Sequence, residues 1–251
     1  ILCMTCNGWS LLEENSYKRI KSLEDQKEKV IVMGCINDAH PDNVKEIFSG
    51  RTVRTRTEET YSFGEIEKYF PNFEFKLKDI PAQSTFRRKE DYRDYNPRRS
   101  FVNIAEGCSF SCSFCTHKPG LGNLRSRGKD DILSQIEKDL EKGSNIINLM
   151  GMETGYYGKD IKTTFAELLE SILTNFPETF EIQIGQYNPH GLSVATETLI
   201  ECVSNPRVTD MQIPIQTTSK RLLQMMRRPE HTADVHNFIT EVKKKNKRIC
   251  F

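Results

Sequence analysis

The chain has 251 residues, 37% hydrophobic and 28% charged, so it is long enough to bury a sizeable core. Its 36 Lys and Arg residues nearly balance 35 Asp and Glu residues, and the net charge of +1 excludes a uniformly basic surface for nucleic acid. No apolar run approaches the roughly 20 residues of a membrane-spanning helix, and nothing is typical of a signal peptide, so we expect a soluble, cytoplasmic protein with reduced thiols.

The first part of the chain alternates strand and helix signals. Apolar runs predict strands at residues 1–4 and 30–33, and helical patterns follow them at 11–23 and 42–48. This order of elements is typical of an open parallel sheet with crossover helices. The chain begins and stops inside apolar, strand-like runs, so we expect it to be a fragment.

A stretch poor in apolar residues separates this part from the rest of the chain. Residues 79–99 contain two prolines and a mixed run of charges, a composition that favours a linker. We therefore predict an amino-terminal domain at residues 1–85, a linker at 86–100 and a second domain at 101–251.

The second domain resumes the alternation of strands and helices. Strands are predicted at residues 101–105, 146–150, 180–185, 211–215 and 249, and helices at 130–140, 164–173, 196–203, 221–226 and 233–243. Repeated strand and helix units joined by right-handed crossovers favour a barrel or an open, partial (β/α) barrel. The predicted fold class of the whole chain is α/β.

Three cysteines lie in one short loop after the first strand of the second domain. Cys108, Cys112 and Cys115 are spaced so that their thiolates can bind one [4Fe-4S] cluster and leave one iron open for a substrate or cofactor. The alternative is zinc or buried thiols, but structural zinc needs a fourth ligand, and His117 follows too closely to be an easy one. Loops after the strands form the reactive face of parallel barrels, so we expect the chemistry here.

The CxxxCxxC loop resembles that of the radical S-adenosylmethionine (SAM) superfamily. The resemblance implies that the open iron chelates SAM and that an electron from the cluster cleaves SAM to a 5′-deoxyadenosyl radical. It also implies that Phe114 lies against the adenine and that Glu153 accepts a hydrogen bond from the SAM amino group. From the residues alone, Glu153 is equally well a solvated loop carboxylate. Asn188 and Gln216, at the ends of later strands, could contact SAM or substrate, or only tie loops together.

Further motifs along nearly the whole chain resemble the methylthiotransferase family. These motifs are residues 102–108, 122–126, 151–160, 213–219 and 226–228. Residues 115–118 and 184–189 are most similar to the archaeal and eukaryotic branch, which modifies threonylcarbamoyladenosine in tRNA. The chain departs from the usual family residues at Leu121, Thr217 and Thr218, so fine substrate contacts are expected to differ.

The family's amino-terminal domain holds a second [4Fe-4S] cluster on three cysteines, two of which match Cys6 and Cys35. Both follow apolar, strand-like runs, and open α/β sheets bind ligands at the carboxyl ends of their strands. The alternative is that both are ordinary buried thiols. The family's first cysteine would lie upstream of this chain. Cys3, Cys202 and Cys250 are interpreted as core residues.

The resemblance implies a transferase that inserts a methylthio group at a C–H bond of a modified tRNA adenosine. One SAM would provide the radical, and another would methylate sulfur held at the second cluster. The expected partners are tRNA and a reductase or other electron donor, with no DNA and no membrane. Among local basic clusters, Arg125 and Arg127 are the first choice for phosphate contact, although a solvated role is equally expected. Methylthiolation of a protein side chain, of the ribosomal-protein type, and a non-catalytic cluster-binding role are the alternatives.

Overall fold

The computed structural model of this chain describes residues 2–5, 10–54, 60–61, 80–81, 98–115, 117–194, 197–228 and 230–251. These residues fall into two units. The first lies within Ile1–Thr85 and Phe114–Asn123, and the second within Phe86–Ser113 and Leu124–Phe251. Within the described part of the chain, no helix has both the length and the apolar character needed to cross a membrane. The predicted linker falls largely outside the described residues.

The first unit is built on a parallel sheet, as its sequence predicts, and this sheet has three strands in the order β1-β2-β3. Its elements are β1 (Leu2–Thr5), α1 (Ser10–Lys21), a 3-10 helix (Glu24–Lys29), β2 (Ile31–Gly34), α2 (Cys35–Ala39), α3 (Pro41–Ile47), β3 (Arg51–Thr52), the antiparallel pair β4 (Thr60–Tyr61) and β5 (Ile80–Pro81), and α4 (His117–Leu121). Apolar residues of the parallel strands and their helices form one core, namely Cys3, Ile20, Leu23, Val30, Val32, Ile36, Val44 and Phe48.

The turn from β2 into α2 depends on a glycine. Gly34 has a φ of +99°, a region that favours glycine. A Cβ atom here would lie 2.7 Å from the carbonyl oxygen and 2.8 Å from the amide nitrogen of Thr5 on the neighbouring strand. The Thr5 hydroxyl donates to the Met33 carbonyl at 2.8 Å and accepts from the Ile36 amide at 3.3 Å. These contacts fix the start of the helix that begins at Cys35.

We expect Gly34→Ala to destabilise the protein by more than about 2 kcal/mol, because it adds overlap with the Thr5 backbone to left-handed strain. Gly143→Ala is the matched control, since Gly143 has a φ of +89° but no neighbouring atom lies within 4 Å of the place that an alanine methyl group would take. In that control the free energy of unfolding should fall only by the cost of the left-handed backbone at alanine, about 1 kcal/mol. Urea denaturation followed by circular dichroism compares the two, and equal losses would show that the contact with Thr5 is unimportant.

The second unit contains a five-stranded sheet in the order β10-β9-β8-β6-β7, in which only β7 is antiparallel. Its elements are β6 (Arg99–Glu106), β7 (Arg125–Ser126), α5 (Lys129–Glu141), β8 (Ile146–Gly151), a 3-10 helix (Thr154–Tyr156), α6 (Phe165–Asn175), β9 (Glu181–Ile184), a 3-10 helix (Pro189–Val194), α7 (Glu197–Ser204), β10 (Val208–Met211), α8 (Lys220–Met225) and α9 (Thr232–Lys245). The strands and helices share one apolar core, which includes Cys202. The predicted alternation is confirmed.

Three details of this unit differ from the sequence-based expectation. Strand β10 covers Val208–Met211 rather than residues 211–215, because Pro214 has no N–H to donate to a neighbouring strand. The strand expected at residue 249 is reduced to a single bridge between Asp210 and Cys250. Cys250 is exposed, so its interpretation as a core residue is wrong.

Candidate functional site

The cysteine loop leaves the carboxyl end of β6. Gly107, with a φ of +69°, turns the chain directly before Cys108. Cys108 and Cys112 belong to the second unit and Cys115 to the first, and all three are half-buried thiols rather than halves of a disulfide. The Cys108 sulfur accepts the N–H of Phe110 at 3.4 Å. The local chain therefore already directs a hydrogen-bond donor at one of these sulfurs.

Cys115 lies just before the helix that begins at His117. A hydrogen bond from the His117 side chain, helped by the backbone N–H groups of Lys118 and His117, holds the pKa of the Cys115 thiol below its ordinary value, although burial opposes this shift. The thiolate is the form of cysteine that binds metal, so these contacts favour a ligand at Cys115. The role of His117 was missed from sequence because one histidine beside a cysteine carries no spacing signal.

Phe110 anchors the loop between the first two cysteines. Its ring stacks on His190 with centroids 4.1 Å apart and meets the Tyr156 ring edge-on at 5.1 Å. Each such aromatic pair contributes about 0.5–1.5 kcal/mol beyond the burial of its area. His190 is itself buried, and its Nδ1 lies 2.5 Å from the Asn188 side-chain oxygen. Because that oxygen only accepts, His190 carries its proton on Nδ1.

His190 makes the stability of this region depend on pH. Burial lowers the pKa of His190 from 6.5 to about 4, and the positive charges of Arg228 and His231 add to the effect. The unfolded chain therefore binds a proton between pH 6.5 and 4 that the folded chain does not, so the free energy of unfolding falls as the pH drops through this window. We expect a loss of up to about 3 kcal/mol.

Thermal denaturation of the apoprotein between pH 7.5 and 4.5 measures this dependence. His190→Gln should flatten the decline of Tm, because the titrating group is removed. His236→Gln is the matched control, since His236 is exposed. A decline in His190→Gln as steep as that of the control would assign the pH dependence to other groups.

Glu153 follows β8 and holds the start of the cysteine loop. Its side chain is 0% exposed, so the alternative of a solvated carboxylate is wrong. Its Oε2 accepts the backbone N–H of Ser109, the residue after Cys108, at 2.7 Å. Burial, and secondarily the charge of Glu153, raises the pKa of Tyr156. A buried carboxylate thus ties the carboxyl end of β8 to the loop that carries the thiols.

Arg228, which follows helix α8, contacts the cysteine loop although the two are far apart in sequence. One guanidinium nitrogen, Nη1, lies 3.5 Å from the Cys112 sulfur. The other, Nη2, donates to the Asn188 side-chain oxygen at 3.2 Å and to the Pro214 carbonyl at 3.3 Å. The Asn188 oxygen therefore accepts from Arg228 and from His190. From the sequence, Arg228 is only one member of the motif at residues 226–228, because nothing in the spacing links it to Cys112.

The remaining residues proposed for cofactor binding are placed as follows. The Phe114 ring is 49% exposed. Gln216 is exposed, has a φ of +64° and donates its side-chain amide to the Pro214 carbonyl at 3.4 Å. Cys35 is half-buried at the first position of α2, and Cys6 lies outside the described residues. Phe114 and Gln216 are therefore accessible to a ligand.

Arg125 and Arg127, expected to contact phosphate, are buried. The Arg125 guanidinium lies 3.6 Å from the Glu106 carboxylate. Arg127 donates to the Asn103 carbonyl at 2.9 Å and to the Gln135 side chain at 2.6 Å. These contacts give Arg127 a structural role within the second unit.

The fit of the loop to an iron-sulfur cluster rests on the chemistry of its donors. Among the described residues, no three or more His, Cys, Asp or Glu side chains are gathered closely enough to hold a metal ion. However, Cys108 and Cys112 both accept hydrogen bonds at sulfur, and the pKa of Cys115 is lowered. Hydrogen bonds to sulfur and thiolate character are features of cluster ligands, so the chemistry of each of the three thiols suits a cluster ligand.

Comparison with known proteins agrees with this chemistry. A family model described as the radical SAM superfamily matches residues 102–251. A probable threonylcarbamoyladenosine tRNA methylthiotransferase from Pyrococcus abyssi is 28% identical over 242 residues, which cover 93% of this chain and 55% of that protein. The threonylcarbamoyladenosine tRNA methylthiotransferase of Homo sapiens is 24% identical over 257 residues, covering 97% and 43%. The chain spans about half the length of the curated relatives it matches.

Two solved structures of the radical SAM methyltransferase TsrM from Kitasatospora setae are also similar. One, with tryptophan and a SAM analogue bound, has a TM-score of 0.58 at 13% identity and covers 93% of this chain and 50% of that chain. The other, with cobalamin and a [4Fe-4S] cluster bound, has a TM-score of 0.61 at 13% identity and covers 97% and 54%. This likeness confirms the predicted fold. As its cysteine loop predicts, the chain belongs to the radical SAM superfamily, whose cofactors are a [4Fe-4S] cluster and SAM.

Proposed function

We propose that this chain is part of a methylthiotransferase that uses two [4Fe-4S] clusters and SAM to modify a tRNA adenosine. The observation that carries the proposal is the hydrogen-bonded cysteine loop at the end of β6, in a chain that aligns over 93–97% of its length with proteins named threonylcarbamoyladenosine tRNA methylthiotransferases. The target is a C–H bond of the modified base. Such a hydrogen is not acidic, so acid-base chemistry cannot remove it.

The first cluster is held by Cys108, Cys112 and Cys115. When bound, the cluster and SAM supply a radical able to take a hydrogen atom from an unactivated carbon. The chain provides position. Glu153 fixes the loop through the Ser109 amide. In this proposal its carboxylate also accepts a hydrogen bond from the SAM amino group.

The other cofactor contacts come from residues around this loop. The exposed ring of Phe114 lies against the adenine. Gln216 contacts SAM or substrate through its exposed side chain. Asn188 is also assigned to this contact, although it is buried and its side-chain oxygen accepts from Arg228 and His190. Phosphate groups of the substrate meet exposed basic side chains rather than Arg125 and Arg127, which are buried.

The second cluster is held by Cys6 and Cys35 together with a third ligand. In the first unit, Thr5 pairs with Gly34, so the residues that directly precede Cys6 and Cys35 in sequence lie opposite each other on neighbouring parallel strands. The carboxyl ends of such strands are where open α/β sheets bind ligands. This pairing supports the assignment of both cysteines to one site.

The partners are tRNA and an electron donor, and the setting is the reducing cytoplasm. The test uses the full-length protein with reconstituted clusters, SAM, a reductant and tRNA, followed by mass spectrometry of the nucleosides. A methylthio group on threonylcarbamoyladenosine supports the proposal. SAM cleavage that yields a methylthiolated protein side chain and unmodified tRNA would show that the substrate is a protein. Cluster loading without SAM cleavage would show that the protein binds a cluster without catalysing the reaction.

A further inference from the structure

Arg228 is a buried cation with an unusual set of partners. The residue is 7% exposed, and arginine stays protonated in proteins. Among the described residues, no carboxylate forms a salt bridge with its guanidinium, and its Nε has no hydrogen-bond partner. A buried charge without a counter-ion is costly. A negative group close to Arg228 would therefore be stabilised.

The ionisable group to which Arg228 donates a hydrogen bond is the thiol of Cys112, at 3.5 Å from Nη1. As a thiolate bound to iron, Cys112 would supply the missing negative charge. Nη2 is held by the Asn188 oxygen and the Pro214 carbonyl, so the planar guanidinium has a fixed orientation toward the sulfur.

The backbone of Arg228 is fixed by the way helix α8 ends. Arg227 has a φ of +55°, its N–H donates to the Gln224 carbonyl at 3.0 Å, and the Arg228 N–H donates to the Leu223 carbonyl at 2.8 Å. This is a Schellman motif with Arg227 at the position usually occupied by glycine. The motif turns the chain sharply at the helix end and so sets the direction in which Arg228 leaves it.

The cysteine loop is docked on the same helix end. Ser113, the residue after Cys112, donates its N–H to the Met226 carbonyl at 3.1 Å and its hydroxyl to the Met225 carbonyl at 2.8 Å. These carbonyls lie in the last turn and lack partners inside the helix. Cys112 and Arg228 are thus held against each other by contacts on both sides.

We propose that Arg228 is a positioning residue that raises the reduction potential of the cluster through its hydrogen bond to the Cys112 sulfur. This inference rests on the proposed cluster at Cys108, Cys112 and Cys115. Adding one electron from the external donor adds one negative charge beside the guanidinium, which favours the reduced form. Hydrogen bonds to ligand sulfurs are among the features that set cluster potentials.

The test is an EPR-monitored redox titration of the full-length protein with reconstituted clusters, without substrate. Arg228→Met removes the charge and all donors at similar length, and it should disfavour the reduced cluster about tenfold, which is ~59 mV more negative for a one-electron couple. Arg228→Lys keeps the charge but cannot hold Cys112, Asn188 and Pro214 together, so a smaller negative shift is expected.

Arg227→Asn is the matched control, because it loses the same charge one residue away and asparagine tolerates a positive φ. Arg227 is exposed, and solvent screens its charge. The reduction potential of the cluster in Arg227→Asn should therefore equal that of the wild type. Iron analysis is performed on every variant before titration.

Three outcomes would overturn the inference. Normal iron with an unchanged potential in Arg228→Met would show that the contact does not tune the cluster. An equal shift in Arg227→Asn would assign the effect to overall charge. If Arg228→Met does not retain the cluster, an unchanged potential in Arg228→Lys, with its iron intact, contradicts a role for the fixed hydrogen bond. Wild-type protein without a cluster at the three cysteines would instead reject the proposed function, and this inference with it.

Discussion

Replacing Cys108, Cys112 and Cys115 together by alanine should halve the iron content of anaerobically purified full-length protein, from about eight to about four irons per chain. The same change should abolish SAM cleavage. The reason is that each [4Fe-4S] cluster has its own cysteines, and the triple variant removes all protein ligands of one cluster only. Iron and sulfide analysis, with Mössbauer and EPR spectra, measures the result.

Cys202→Ala is the control for the loss of a thiol. Cys202 is 7% exposed in the core of the second unit, and burial raises its pKa to about 11, so its thiol stays protonated and is a poor ligand. The control should keep its full iron content. If the wild type held four irons and the triple variant none, the protein would contain one cluster, and the sulfur-carrying second cluster would be rejected. No iron in the wild type would contradict the cluster assignment altogether.

Glu153→Ala is expected to destabilise the protein by about 3 kcal/mol and to lose most of the cluster at the cysteine loop. The change removes a fully buried side chain and the carboxylate acceptor of the part-buried Ser109 N–H bond, and together these effects cost on the order of 3 kcal/mol. Because Ser109 follows Cys108 directly, the loop that presents the thiols loses its tie to β8. Urea denaturation gives the free energy, and iron analysis gives the cluster content.

Glu153→Gln separates hydrogen bonding from charge. Its amide oxygen can still accept the Ser109 N–H, so it should retain more stability and more iron than the alanine variant. Glu178→Ala, at an exposed position, is the control and should change neither quantity. If Glu153→Ala behaved like Glu178→Ala, the carboxylate would not hold the loop.

The long elements were predictable because each must bury one apolar face. The spacing of apolar residues therefore located helices such as Lys129–Glu141 and Phe165–Asn175 to within a few residues. The two-residue strand Arg125–Ser126 was missed, since so short a segment carries no periodicity. The helix His117–Leu121 was missed for the same reason.

The candidate site was also predictable only in part. Cys108, Cys112 and Cys115 are close in sequence, so their spacing alone predicts a cluster loop. The contacts of that loop join residues far apart in the chain, as Ser109 to Glu153 and Cys112 to Arg228. Such pairs are set by how the strands and helices pack, which no local pattern encodes. The burial of Arg127 was likewise invisible, because a basic tripeptide looks the same on a surface and in a core.

The docking of Ser113 ties the cysteine loop to the carboxyl end of helix α8. The helix has six residues, and its Met225 side chain is 62% exposed while its Met225 and Met226 carbonyls accept hydrogen bonds from the loop. Because the same helix end carries Arg228 and the carbonyls that hold Ser113, a substitution that unwinds this helix would displace both partners of the contact between Cys112 and Arg228 at once.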